Sequence, residues 1–158
     1  MSILTVQEFE DMGFSISNDI DTSRIQLAIS TIEGTCIKDA LTNEHYLDLV
    51  NNPTDATNYI LLNGGTIDST YYLGLKKAIG YIAFAWLMSS SYQVTRYGTV
   101  LKRSEFSDNK VSIDEDDLNV ATRRYLEVGI SLLKEIMNYY NLNTTNNIDV
   151  LGLNTIVY

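Results

Sequence analysis

The chain has 158 residues, 45% apolar and 20% charged, enough for one domain to bury a sizeable core without disulfides. A formal net charge of −9 with only eleven Lys and Arg argues against specific DNA or RNA binding, which needs clustered cations to neutralise phosphates. The single cysteine, Cys36, excludes an internal disulfide. The opening "MSILTVQEFEDMGF" has neither a basic n-region nor a long apolar h-region, so a reducing interior such as a cytoplasm is expected.

Residues 1–20 read as an N-terminal arm in which Val6, Phe9 and Met12 share one side of a helical turn or two. A bundle domain follows over 21–140. Asp21 is the expected N-cap of its first helix, and Ile25, Ala28, Ile29, Ile32 and Cys36 keep helical spacing. Gly34 weakens this helix locally. A shorter helix is expected from a Thr42 cap to Asn52-Pro53, then another short helix ending at Gly64-Gly65.

The central helix is expected at about 69–89, with one apolar stripe at Leu75, Ile79, Ile82 and Trp86 and another at Ala78, Tyr81, Ala85 and Met88. Its unbroken apolar run, Ala78 to Met88, is too short for a bilayer, which takes roughly 20 residues. The β-branched and aromatic stretch 92–111 reads as a projecting β-hairpin or loop. The acids Asp114 to Asp117 then open a long helix over about 114–140, complementing its macrodipole. Residues 141–158 form a C-terminal arm whose Ile148, Val150, Leu151, Leu153, Ile156 and Val157 are too apolar for a solvated terminus. Either this tail folds back on its own domain or it adds a strand to a neighbour. The fold class is therefore mainly α, a helical bundle with two long helices, a hairpin between them and an extended tail.

Groups able to do chemistry are few. His45 is the only histidine, so no two-histidine metal site exists, and it is expected as an exposed helix residue beside the solvating Glu44 and Asp48. Cys36 lies on an apolar stripe, where a buried and inert thiol is expected. Asp114 to Asp117 lack EF-hand spacing, and Asn63-Gly64-Gly65 lacks the Gly-Lys-Ser/Thr of a phosphate loop. No enzyme activity, cofactor or metal is expected. The remaining signal is Tyr92, Arg96, Tyr97, Lys102, Arg103 and Phe106, basic and aromatic residues interleaved on the hairpin, as in protein interfaces.

Gly64-Gly65, the helix "GLKKAIGYIAFAWL", then "VTRYGTVLKR", then an acid-capped long helix ending "IMNYY" resembles the head–tail connector proteins of tailed bacteriophages. It is similar in particular to small adaptor ring proteins of crAss-like gut phages, over roughly residues 22–140. The resemblance implies a homo-oligomeric ring, commonly dodecameric, at the portal vertex of a virion made in the host bacterial cytoplasm. Its partners would be the portal protein and an adjacent tail or second ring protein. Genome DNA would pass through the lumen without specific binding, and no membrane is involved. It further implies that the hairpin projects and that terminal segments clasp neighbours, here Tyr92–Val111 and Ile148–Tyr158. The sequence departs from the pattern in its apolar tail and its Trp86-bearing central helix. The alternative is a small helical protein-binding regulatory module without catalysis.

Overall fold

The computed structural model describes residues 2–14, 21–89, 92–94, 100–102 and 115–142, and the chain is mainly α-helical. The N-terminal segment packs into the core, with Leu4 and Phe9 fully buried and Ile3 nearly so. Helix α1, Val6–Asp11, starts with a reciprocal capping box. The Thr5 hydroxyl accepts from the Glu8 N–H at 3.2 Å, and the Glu8 carboxylate accepts from the Thr5 N–H at 2.9 Å.

Helix α2, Thr22–Ile32, begins as the sequence predicts, the Asp21 carboxylate accepting from the Ser23 N–H at 2.9 Å. A π-helical turn, Glu33–Ile37, follows where Gly34 interrupts the pattern, and α3 continues over Lys38–Asn51. Within α3 the chain breaks at Thr42, whose φ of 62° and ψ of 157° are non-helical. A β-branched residue at positive φ is strained, and the break falls at the residue expected to cap the shorter helix. Helix α4, Ala56–Asn63, is capped by Asp55, which accepts from the N–H groups of Thr57 and Asn58.

The structure corrects the expected start of the central helix. Helix α5 runs Leu75–Ser89, and residues 65–72 instead form an antiparallel hairpin of β1, Gly65–Ile67, and β2, Thr70–Tyr72. Asp68 and Ser69, both at positive φ, make its two-residue turn, a geometry that matches the twist of the strands. At Gly74, φ 92°, a Cβ would lie only 2.6–2.8 Å from backbone atoms of Leu62, Asn63 and Gly64. Only glycine fits there.

Helix α5 is buried over most of its circumference, at Leu75, Ala78, Ile79, Gly80, Ile82, Ala83, Phe84, Ala85 and Leu87. It packs against α2, α4 and the long helix α6, Glu115–Tyr139. Between α5 and α6, β3, Tyr92–Val94, pairs antiparallel with β4, Val100–Lys102, so the expected hairpin is present. At about 1.5 Å per residue α6 spans roughly 37 Å, with Glu115, Asp116 and Asp117 in its first turn. It stops at a left-handed Asn141, φ 55°, where the N–H groups of Leu142 and Asn141 return to the carbonyls of Met137 and Asn138. This is the Schellman closure. Among the described residues, no helix is long and apolar enough to cross a membrane.

Gly129 marks the closest approach of α6 to α5. A Cβ there would lie 2.5 Å from Ile82 Cγ1 and 3.1 Å from the Ala78 carbonyl oxygen. At the exposed Gly34 a Cβ would meet nothing within 4 Å. The two alanine substitutions should therefore differ in sign in urea denaturation. Gly129→Ala should lose roughly 1–2 kcal/mol after helix propensity returns part of the overpacking cost, whereas Gly34→Ala should gain about 0.5–1 kcal/mol.

Candidate interaction surfaces

Two carboxylates fasten the N-terminal segment. Glu33, itself buried, uses Oε1 to accept from the Leu4 N–H at 2.9 Å and from the Ser2 hydroxyl at 2.8 Å. The π-helical turn that contains Glu33 presents this acceptor to the incoming backbone, satisfying a buried N–H that would otherwise be costly. Glu8 pairs with Lys76 of α5 at 2.6 Å. Burial pulls Glu8 upward, but the Lys76 ammonium and the Thr5 donors outweigh it, leaving the carboxyl below its ordinary value.

Cys36 is a free, buried thiol, as expected. Its pKa is pushed up to about 12, by burial first and by the Asp39 carboxylate second. His45 differs from expectation. It is half-buried and lies flat on Tyr140, ring centroids 4.1 Å apart and planes at 19°, because the end of α6 comes down over α3. Asp48 has both carboxylate oxygens occupied, Oδ1 by the Asn52 amide at 2.8 Å and Oδ2 by the Asn58 amide at 3.1 Å. Those two amides hold its carboxyl below the usual range. The Tyr140 hydroxyl is buried without a hydrogen-bond partner among the described residues. Its pKa rises to about 12 through burial, with Asp48 and Tyr139 adding to it. Among the described residues, no three His, Cys, Asp or Glu side chains converge as metal ligands.

Of the predicted hairpin residues, Tyr92 and Lys102 face each other as the first backbone pair of β3 and β4. Arg96, Tyr97, Arg103, Phe106, Asp114 and the tail residues Ile148, Val150, Leu151, Leu153, Ile156 and Val157 lie outside the described residues.

The structure adds a surface the sequence reading missed. Residues 56–75 contain one charge, Asp68, and fold into α4, the β1–β2 hairpin and the entry to α5. Within this low-charge stretch Tyr71 is 65% exposed, Tyr59 57% and Leu73 36%. Exposed tyrosine with few charges is the composition of an interface core. The low charge of 56–75 was the signal available in the sequence. A groove of about 520 Å³ between α1, α5 and α6 is lined by Leu73, Met12, Phe14, Tyr81 and Leu132 together with the charged Glu8, Asp11 and Lys77.

Residues 36–148, from the π-helical turn through α6, match DUF6712, a family of unknown function. The chain belongs to this family. Neither a curated protein nor a solved structure matches it.

Burial of Cys36 carries a pH consequence. A thiol raised from its ordinary 9.0 to about 12 holds its proton more tightly when folded, as does the Tyr140 hydroxyl. That stabilisation is whole below pH 9 and is lost as pH rises toward 12. The urea midpoint should therefore fall between pH 9 and 11, less steeply in Cys36→Ser. At pH 8.5 iodoacetamide should spare Cys36 in the folded chain and label it in urea.

Proposed function

We propose that the chain is a structural subunit of a bacteriophage particle. Copies of it form a ring between portal and tail that seals and extends the DNA channel. The observation that carries this reading is the paired β3–β4 ribbon inserted between the two longest helices, α5 and α6. The residues between its strands include Arg96 and Tyr97, side-chain types that dominate interface energetics. Inserted in the chain between two packed helices, the ribbon offers a subunit one contact element. A closed ring needs two different contact faces on each subunit. The low-charge stretch 56–75, with its exposed Tyr59 and Tyr71, serves as the second.

The acidic balance suits the same role. A net charge of −9 disfavours adhesion to a polyanion, so DNA can slide past. Cys36 and Asp48 are committed to burial and to side-chain hydrogen bonds, and His45 to stacking on Tyr140, which fits a subunit whose work is assembly.

Quantitative peptide mass spectrometry on purified particles of the source phage tests the reading. About a dozen copies per particle, far below the major capsid protein, is the expected result for a single vertex ring. Absence of the chain from particles whose portal is well recovered would overturn it in favour of the regulatory module. In purified protein, Arg96→Ala with Tyr97→Ala should leave the helical circular dichroism spectrum intact and abolish ring assembly.

A further inference from the structure

We infer that Asn63 is a site of spontaneous deamidation that the folded chain holds closed, and that opening the junction between α4 and β1 lets it convert irreversibly. Of the chain's asparagines, Asn63 alone precedes a glycine. That pair is the most reactive for this chemistry, because no side chain on the second residue shields its backbone nitrogen.

The reaction needs only water. The Gly64 backbone nitrogen loses its proton and bonds to Asn63 Cγ, while the Cγ–Nδ2 bond breaks and the side-chain nitrogen leaves as ammonia. Water then opens the five-membered imide at either carbonyl. One opening gives aspartate. The other, the commoner, gives isoaspartate, whose main chain runs through the former side chain and is longer by an atom. Nothing is oxidised or reduced.

Asn63 is exposed, so water reaches it and access gives no protection. Geometry does. Asn63 is the last residue of α4 and keeps a helical backbone. The attacking nitrogen, that of Gly64, donates its hydrogen to the Ile60 carbonyl at 2.7 Å. The leaving nitrogen, Asn63 Nδ2, donates to the Tyr59 carbonyl at 2.9 Å. Two successive carbonyls of the last turn thus hold both reacting groups. Bringing the Gly64 nitrogen onto Cγ requires rotation about the Asn63 Cα–C bond, which breaks the bond to Ile60 and unwinds the turn. Gly74 closes the other side. A Cβ there would lie 2.6 Å from the Gly64 nitrogen and 2.7 Å from the Asn63 carbonyl carbon, so the intervening peptide cannot turn without displacing the Gly74 backbone.

The fold cannot remove this weakness by changing Gly64. Its φ is 97°, and a Cβ on it would sit 3.0 Å from the Leu73 carbonyl oxygen. The glycine that the junction requires is the one that makes Asn63 reactive. Isoaspartate would undo the junction, because its extra main-chain atom moves Gly64 off the Ile60 carbonyl and against Gly74. Conversion therefore marks, one way, any chain whose α4–β1 junction has stood open. This holds whether or not the chain assembles into a ring.

The test follows residue 63 by peptide mass spectrometry in mildly alkaline buffer, in the folded full chain and in a synthetic peptide of residues 59–67. The folded chain should convert at least about tenfold more slowly, since only its open population reacts. A smaller ratio would overturn the inference. The consequence is read on full chain converted in urea, returned to native buffer and separated into isoaspartyl and aspartyl forms. The isoaspartyl form should unfold at lower urea than Asn63→Asp, which has the same charge without the extra atom, or fail to refold where that variant folds. Equal midpoints would refute the one-way step. Asn63→Gln taken through the same incubation should keep its midpoint, and an equal loss there would move the damage to other asparagines and sink the assignment.

Discussion

Everything in this fold is arranged around a helix that cannot face water. Helix α5 buries nine of its fifteen residues, and apolar side chains leave it in every direction. Each fully buried Leu, Ile or Phe contributes about 1.5–3 kcal/mol, so exposing any side of α5 would cost more than a domain's net stability allows. The surrounding elements are what covering it requires: α2 and α4, the length of α6, and the N-terminal segment with Phe9 and Phe14. Small residues on both partners set the spacing. Gly129 on α6 lets the two helices approach, a Cβ there lying 3.1 Å from the Ala78 carbonyl oxygen, and Gly80 on α5 leaves room for the side chains of Met12 and Phe14.

The N-terminal segment shows how polar groups are recruited to complete an apolar wrapping. Leu4 and Phe9 are fully buried, and burying their backbone creates N–H groups that need acceptors. Glu33 meets the Leu4 N–H from a π-helical turn, and Glu8 caps its own helix while reaching Lys76 on α5. The aromatic cluster of Phe9, Phe14, Tyr81, Phe84 and Tyr125 then closes the junction of α1, α5 and α6, with Phe14 stacked on Phe84 at 4.6 Å. Two carboxylates and one stack hold the segment that hides one side of α5.

The same economy explains the chemical groups. Asp48 closes the α3–α4 corner through Asn52 and Asn58, and His45 forms the flat surface on which the end of α6 rests. A histidine and a carboxylate three residues apart resemble part of a reactive site when seen in sequence. Their neighbours in space make them parts of a corner.

Much of the framework was legible in the sequence. Asp21 as a cap, the helical run of Ile25 to Cys36, the all-round apolar α5, the hairpin between α5 and α6 and the acid start of α6 follow from local chemistry. The Thr5–Glu8 capping box also stands in the sequence as T-x-x-E, whereas the strands at residues 65–72 carry a weaker signal. There Asp68-Ser69 makes a turn usually signalled by Asn-Gly, so Ser69 read as the start of a helix. The sequence by itself determined the helical class and the order of the helices, because periodicity, capping and composition act over a few residues. Only the tertiary structure decided that Glu33 would anchor the N-terminus, that His45 would lie against Tyr140, and that β2 would stand beside the end of α6. Those contacts join residues 29, 95 and 67 positions apart. No local pattern encodes such a meeting, which is fixed by how the other helices close around α5.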